Sequence, residues 1–126
     1  MTEKMGLEVQ LRKGYIYASV FGVFSLAQAI ELYKKILKDC SQNDCTKILI
    51  DTRMLNRSPT ATDRFVAGNL IPILQNKQAY KVAFWGSAQM TRPDKPVEKT
   101  AVVAGAKVKV TVDLGEALGW LGVEGT

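Results

Sequence analysis

The residues best able to do chemistry crowd into one stretch: Asp51, Arg53, Arg57, Ser58, Thr60, Thr62, Asp63 and Arg64. Hydroxyls beside arginines could bind a phosphate or other anion. They could also accept a phosphoryl group, which helix-start amides and Arg53, Arg57 or Arg64 would then hold. Asp51 and Asp63 could form an acid-base dyad, a task that needs unlike environments for the two carboxyls. The plainer roles are structural: one of Ser58, Thr60 and Thr62 as a helix N-cap, and Asp51 closing a turn. A second group, Trp85, Gly86, Ser87 and Arg92, follows another apolar run, and Arg53 and Arg92 could converge on one anion.

Composition removes several classes of function. The chain has no histidine, so imidazole bases, histidine metal ligands and Ser-His or Cys-His nucleophile pairs are excluded. Neither the phosphate-loop nor the dinucleotide glycine signature occurs. No catalytic residue, metal ligand or cofactor is assigned, and a non-enzyme is expected. Cys40 and Cys45 flank a short SQND turn; free thiols are the expectation, and no second pair suggests zinc.

Basic residues exceed acidic ones by five. The stretch from Lys77 to Lys109 holds seven bases against Asp94 and Glu98, a field that could steer an anionic partner. It lacks the dense basic stripe with interleaved aromatics that binds nucleic acid, so no nucleic-acid partner is expected. No apolar run reaches the roughly 18 residues of a membrane span, and Met1 to Leu11 is too polar for a secretory signal. A cytoplasmic location follows as an expectation. The 126 residues suit a single domain, 1–126, with its core at about 6–122.

The elements that must position these residues read as an α/β alternation. Gly6 to Arg12 and Tyr15 to Gly22 form an antiparallel hairpin turning at Gly14. Ser25 with Gln28 reads as a capping box for a first helix to about Asp39, its stripe Leu26, Ile30, Tyr33 and Leu37. Lys47 to Asp51 is a third strand. A second helix starts near Ser58 to Thr60 and runs toward Asn76, with Phe65, Val66, Leu70, Ile73 and Leu74 inward and Pro72 bending it. Lys81 to Trp85 is strand four, with Phe84 and Trp85 facing opposite layers. Thr91 and Asp94 suggest a capping box for helix three, whose small face is Val97, Ala101 and Ala104 and whose stop is Gly105. Lys107 to Asp113 is strand five. Asp113 and Glu116 cap a last helix carrying Leu114, Ala117, Leu118 and Leu121 and ending at Gly122. Outside that stripe, Trp120 could mark a partner surface. The expected fold is a two-layer-type, mixed five-stranded sheet with an N-terminal antiparallel hairpin, parallel crossovers and four helices.

The order of these elements, with ILIDTR at Ile48 to Arg53, TDRF at Thr62 to Phe65, VAFWGS at Val82 to Ser87 and EALGWL at Glu116 to Leu121, resembles the SpoIIAA-like family. That family belongs to the STAS superfamily of sulfate transporters and anti-sigma-factor antagonists, and the likeness spans about residues 6–122. The resemblance implies a regulatory module in which a serine at the start of the helix after the third strand is phosphorylated by a partner kinase. The family pattern there is similar to Asp-Ser-x-Gly; this chain reads RSPTATD, with Ser58 or Thr60 in roughly that place and the aspartate and glycine absent. On the residues alone, Trp85 could line a shallow apolar pocket with Phe21, Phe24 and Met90, and the family's arrangement also resembles lipid-binding Sec14-type domains.

The first functional expectation is therefore a non-catalytic regulatory or protein-interaction module of STAS type, acting through the turn that opens helix two. The alternative is a small-molecule binding domain for an anion, nucleotide or short amphiphile at the carboxyl rim of strands three and four. The expected partners are a regulatory protein, a small anionic or amphiphilic ligand, or a second copy in a homodimer through helix four or an exposed edge strand.

Overall fold

The computed structural model describes residues 4–57, 59–76, 78–87 and 95–123. Along the chain run β1 (Gly6–Arg12), β2 (Tyr15–Gly22), α1 (Leu26–Gln42), β3 (Lys47–Leu55), α2 (Ala61–Gln75), β4 (Lys81–Trp85), α3 (Pro96–Val103), β5 (Lys107–Thr111) and α4 (Leu114–Leu121). The strands form one sheet in the order β1-β2-β3-β4-β5. The first pair is antiparallel and the others are parallel. Gly14 closes the hairpin at φ 86, in the left-handed region that a side chain disfavours. The mixed sheet with four helices is thus the one expected from the sequence.

Period-two alternation sorts the strands onto two faces. Ile16, Ala18, Val20, Ile48, Ile50, Val82 and Val108 bury against Tyr33, Ile36, Leu37 and Cys40 of α1, Ile71 of α2 and Ala101 of α3. On the other face Tyr15, Leu49 and Ala83 meet Ala117, Leu118 and Leu121 of α4. Three helices therefore share one layer as the two-layer frame requires, and the short α4 adds a partial third. It packs mainly against β3, β4 and β5, with Tyr15 of β2 buried in the same cluster. Cys40 and Cys45 are free thiols; burial pushes the Cys40 thiol up to about 12, out of the range where it is nucleophilic.

Several boundaries and faces differ from the sequence expectation. β3 continues to Leu55 rather than ending at Asp51, because β2 offers Phe21 and Gly22 as partners for Met54 and Leu55 beyond an irregularity after Ser19. β5 stops at Thr111. In α2 the buried positions are Arg64, Gly68, Ile71 and Gln75, whereas Phe65 and Ile73 are 61% and 69% exposed. Gly68 explains this rotation: a Cβ there would lie 2.6 Å from Thr100 Cβ, so the glycine face turns to α3 and carries Phe65 and Ile73 outward.

The caps differ too. Ser25 accepts from Gln28 N, but the Gln28 side chain accepts from Met5 N at 2.7 Å instead of closing the box on Ser25. α3 begins at Pro96 behind Lys95, which has φ 47 and makes no side-chain cap. The expected caps Thr91 and Asp94 lie outside the described residues. Trp120 is half-buried beside the α4 core, with Lys81 Nζ 4.6 Å from its ring centroid and donating to its carbonyl at 2.6 Å. It is therefore engaged within the chain.

Candidate functional site

The strand parity that buries Ile48 and Ile50 turns Asp51 and Arg53 to the α4 side of the sheet. Asp51 is 2% exposed, so its charge must be answered by protein. Arg53 does so with Nε to Oδ1 at 3.0 Å and Nη2 to Oδ2 at 2.9 Å, and its backbone N–H donates to Oδ1 at 3.0 Å. Tyr17 donates its hydroxyl to Oδ2 at 2.6 Å. Arg53 Cζ lies 3.5 Å from the centre of the Trp85 ring, and Arg12 Cζ 4.2 Å from that of Tyr17. Burial alone would push the Asp51 carboxyl up, but hydrogen bonds from Arg53 and then Tyr17 outweigh it and hold the carboxyl below its ordinary value. Burial, and then the bond to Asp51, raises the Tyr17 phenol. These groups form a structural network in which the buried carboxylate is fully partnered, while the Arg53 side chain stays 45% exposed.

The opposite face holds open space. A cavity of about 170 Å³ lies between α1, α2, α3 and the sheet. Val20, Phe24, Ile30, Ile50, Leu70 and Phe84 contribute to its walls. Gln75 Nε2 donates to the Tyr33 hydroxyl at 3.0 Å, a buried link between α2 and α1; burial lifts the phenol of Tyr33, which lines the cavity, well above its usual value. At the carboxyl ends of β3 and β4 the lining becomes polar: Thr52, Asp63, Arg64, Gly86 and Lys95. Arg64 is 7% exposed and donates Nε to the Pro59 carbonyl at 3.2 Å. The sequence placed this cation at a rim; the fold buries it at the mouth of an apolar cavity.

The expected site residues therefore separate. Asp51, Arg53 and Trp85 belong to the network on one face, and Asp63, Arg64 and Gly86 to the cavity on the other. The Asp51–Asp63 dyad does not form: Asp63 Oδ2 accepts from Thr60 N at 3.0 Å and Thr60 Oγ1 from Asp63 N at 3.0 Å, a complete capping box. Arg57 donates to the Phe24 carbonyl at 2.9 Å and Arg53 is engaged with Asp51, while the Thr60 hydroxyl is taken up by the cap. Thr60 is the N-cap and Thr62 is exposed in the first turn. Ser87 is half-buried. Ser58, Met90 and Arg92 lie outside the described residues, and so does the expected joint site of Arg92 with Arg53. Of the expected apolar lining of Trp85, Phe21, Phe24 and Met90, Phe24 lines the cavity and Trp85 stacks on Arg53 on the other face, so these two are not brought together.

Sequence reasoning missed Tyr17 as the partner of Asp51, although alternation marks both for one face. It also missed Lys95, whose position depends on a left-handed backbone just before Pro96, and the Tyr33–Gln75 link, whose two residues lie on different helices. Among the described residues no group of three or more acidic or cysteine side chains could hold a metal ion, and no helix is long and apolar enough to cross a membrane.

No protein-family model and no curated protein matches the chain. Solved structures do. An anti-sigma factor antagonist from Mycobacterium paratuberculosis superposes with a TM-score of 0.61 at 12% identity, over 94% of this chain and 95% of that one. Moorella thermoacetica RsbS S58E gives 0.55 at 17% identity, over 92% and 94%. An uncharacterised protein with a SpoIIAA-like fold from Shewanella loihica gives 0.54 at 18% identity, over 96% of each chain. The fold of this chain is accordingly SpoIIAA-like.

Proposed function

We propose that the protein is a non-catalytic binding domain that takes a short anionic amphiphile, its tail in the cavity between α1, α2 and the sheet and its head beside Arg64 and Lys95. The observation that carries this reading is an apolar cavity whose polar residues cluster at one end, two of them cationic. A cavity of roughly 150 Å³ lined by aliphatic and aromatic groups stays dry and accepts a benzene-sized guest. At about 170 Å³ the space suits one ring or a chain of about six to eight carbons. Long acyl tails would overfill it.

A test is to titrate the protein with linear carboxylates of about four to twelve carbons and with amines of matched length, reading melting temperature and heat of binding. Affinity should peak at medium length, with carboxylates ahead of amines. Equal response to both series, or none to either, would overturn the reading.

A second reading, a regulatory protein-interaction module of STAS type, has a specific observation in its favour. The exposed Thr60, Thr62 and Phe65 sit together at the start of α2, and the fold is shared with a protein described as an anti-sigma factor antagonist. Arg64 lies on the same turn, so cavity occupancy and partner docking would share an element. Substituting Thr60 and Thr62 by glutamate and measuring affinity for a purified partner would test it; partner binding indifferent to both changes would count against a switch at this turn.

A further inference from the structure

We infer that β1 is a docking edge for a second copy of this chain, paired antiparallel about Gln10 to continue the sheet through both molecules. β1 is an outer strand of the sheet, with seven residues paired to β2 in unbroken register. The two-residue turn at Lys13 and Gly14 makes Arg12 and Tyr15 a hydrogen-bonded pair. By alternation Gly6, Glu8, Gln10 and Arg12 turn their main-chain groups toward β2, while Leu7, Val9 and Leu11 turn theirs outward. Outer strands are normally guarded by shortness, lysine, proline or a bulge. β5 has two of these protections, being five residues long with Lys107 and Lys109 in it. β1 is seven residues long, its sequence GLEVQLR contains neither proline nor lysine, the irregularity in β2 falls on its β3 side, and its two charges, Glu8 and Arg12, are of opposite sign.

The sequence of β1 is self-complementary in one register. Centring a twofold axis on Gln10 sets Glu8 opposite Arg12 of the other copy, at both ends. Gln10 then faces Gln10, and Val9 faces Leu11. Val9 and Leu11 become the hydrogen-bonded pairs, matching their outward main-chain groups. The two charge pairs fall at non-hydrogen-bonded positions, where side chains approach most closely. Glu8 is exposed. Arg12 lies on the same face, half-buried over Tyr17 with Nε and Nη2 donating to Gln10 Oε1 at 3.3 and 3.0 Å, and a guanidinium keeps further donors for a carboxylate. Leu11, 60% exposed, gains Val9 of the other copy as a neighbour. Centring on Val9 instead would set Glu8 against Gln10 and Arg12 against Gly6, losing both charge pairs.

Sedimentation equilibrium of the full chain across a concentration series tests this. The expected result is a reversible dimer that Val9→Pro abolishes while the chain stays folded, since the lost N–H points away from β2, at a melting temperature lowered by the loss of Val9 packing against the core. Arg12→Glu should weaken the dimer at least tenfold, and Glu8→Arg combined with Arg12→Glu should restore it. Gln10→Cys should cross-link two copies on mild oxidation, above the background from Cys40 and Cys45, since facing Cα atoms at such positions lie within disulfide reach. A monomer at every concentration, or a dimer indifferent to Val9→Pro and to the charge exchange, would overturn the inference.

Discussion

The two faces of the sheet treat their functional groups in opposite ways. Along β2 to β4 on the α4 side, Tyr17, Asp51, Arg53 and Trp85 close on one another, and both oxygens of that carboxylate have donors within 3.0 Å. On the α1–α3 side the apolar groups do not meet fully and leave a cavity of about 170 Å³. The face richer in charge is thus the self-sufficient one, and the face built of aliphatic and aromatic groups has room for something else. Chemical potential in a sequence locates polar groups; geometry decides whether they are already spent on each other.

Substitutions that keep the fold while altering one face should sharpen this contrast. Ala67 lines the cavity from α2, and Ala67→Phe should fill it, costing at least a hundredfold in octanoate affinity, about 2.8 kcal/mol, with little change in melting temperature. Calorimetric titration with a parallel melt reads both quantities.

Asp51→Asn should act the other way, lowering stability by about 2 kcal/mol in urea unfolding while leaving carboxylate affinity near that of the parent. The pH dependence follows from the same carboxyl. Its folded value is depressed, so its contribution is fully present above the unfolded value and is lost as pH falls through the folded one. The acid limb of the stability curve should flatten in Asp51→Asn.

Smaller effects are expected at the cavity mouth and the cap. Arg64→Gln should weaken carboxylates roughly tenfold, about 1.4 kcal/mol, and remove their advantage over amines, while Arg64→Lys keeps it. Thr60→Ala should cost about 1 kcal/mol of stability through the lost cap, measured by urea unfolding, without moving ligand affinity.

The sheet was legible because its signals are local: Gly14 between two alternating runs, apolar runs separated by helix-length segments, and caps at Asp113 and Gly122. The orientation of α2 was not, since it depends on Gly68 meeting Thr100 across to another helix. The extension of β3 past Asp51 was equally hidden, because residues 52–55 carry no strand pattern of their own and are held by Phe21 and Gly22. For the candidate site, alternation already separated Asp51 from Ile50, yet nothing in the order of residues said which face α4 would cover. Arg64 was placed at the rim from its position alone; its burial follows from the rotation of α2.

Amide shift mapping with octanoate tests the contrast between the faces most directly. The expected result is saturable shifts at Val20, Phe24, Thr52, Ala67 and Phe84, with Tyr17, Arg53 and Trp85 unmoved and the effect absent in Ala67→Phe. Shifts centred on Tyr17, Arg53 and Trp85, or no saturable shifts at all, would contradict the assignment of ligand binding to the cavity face.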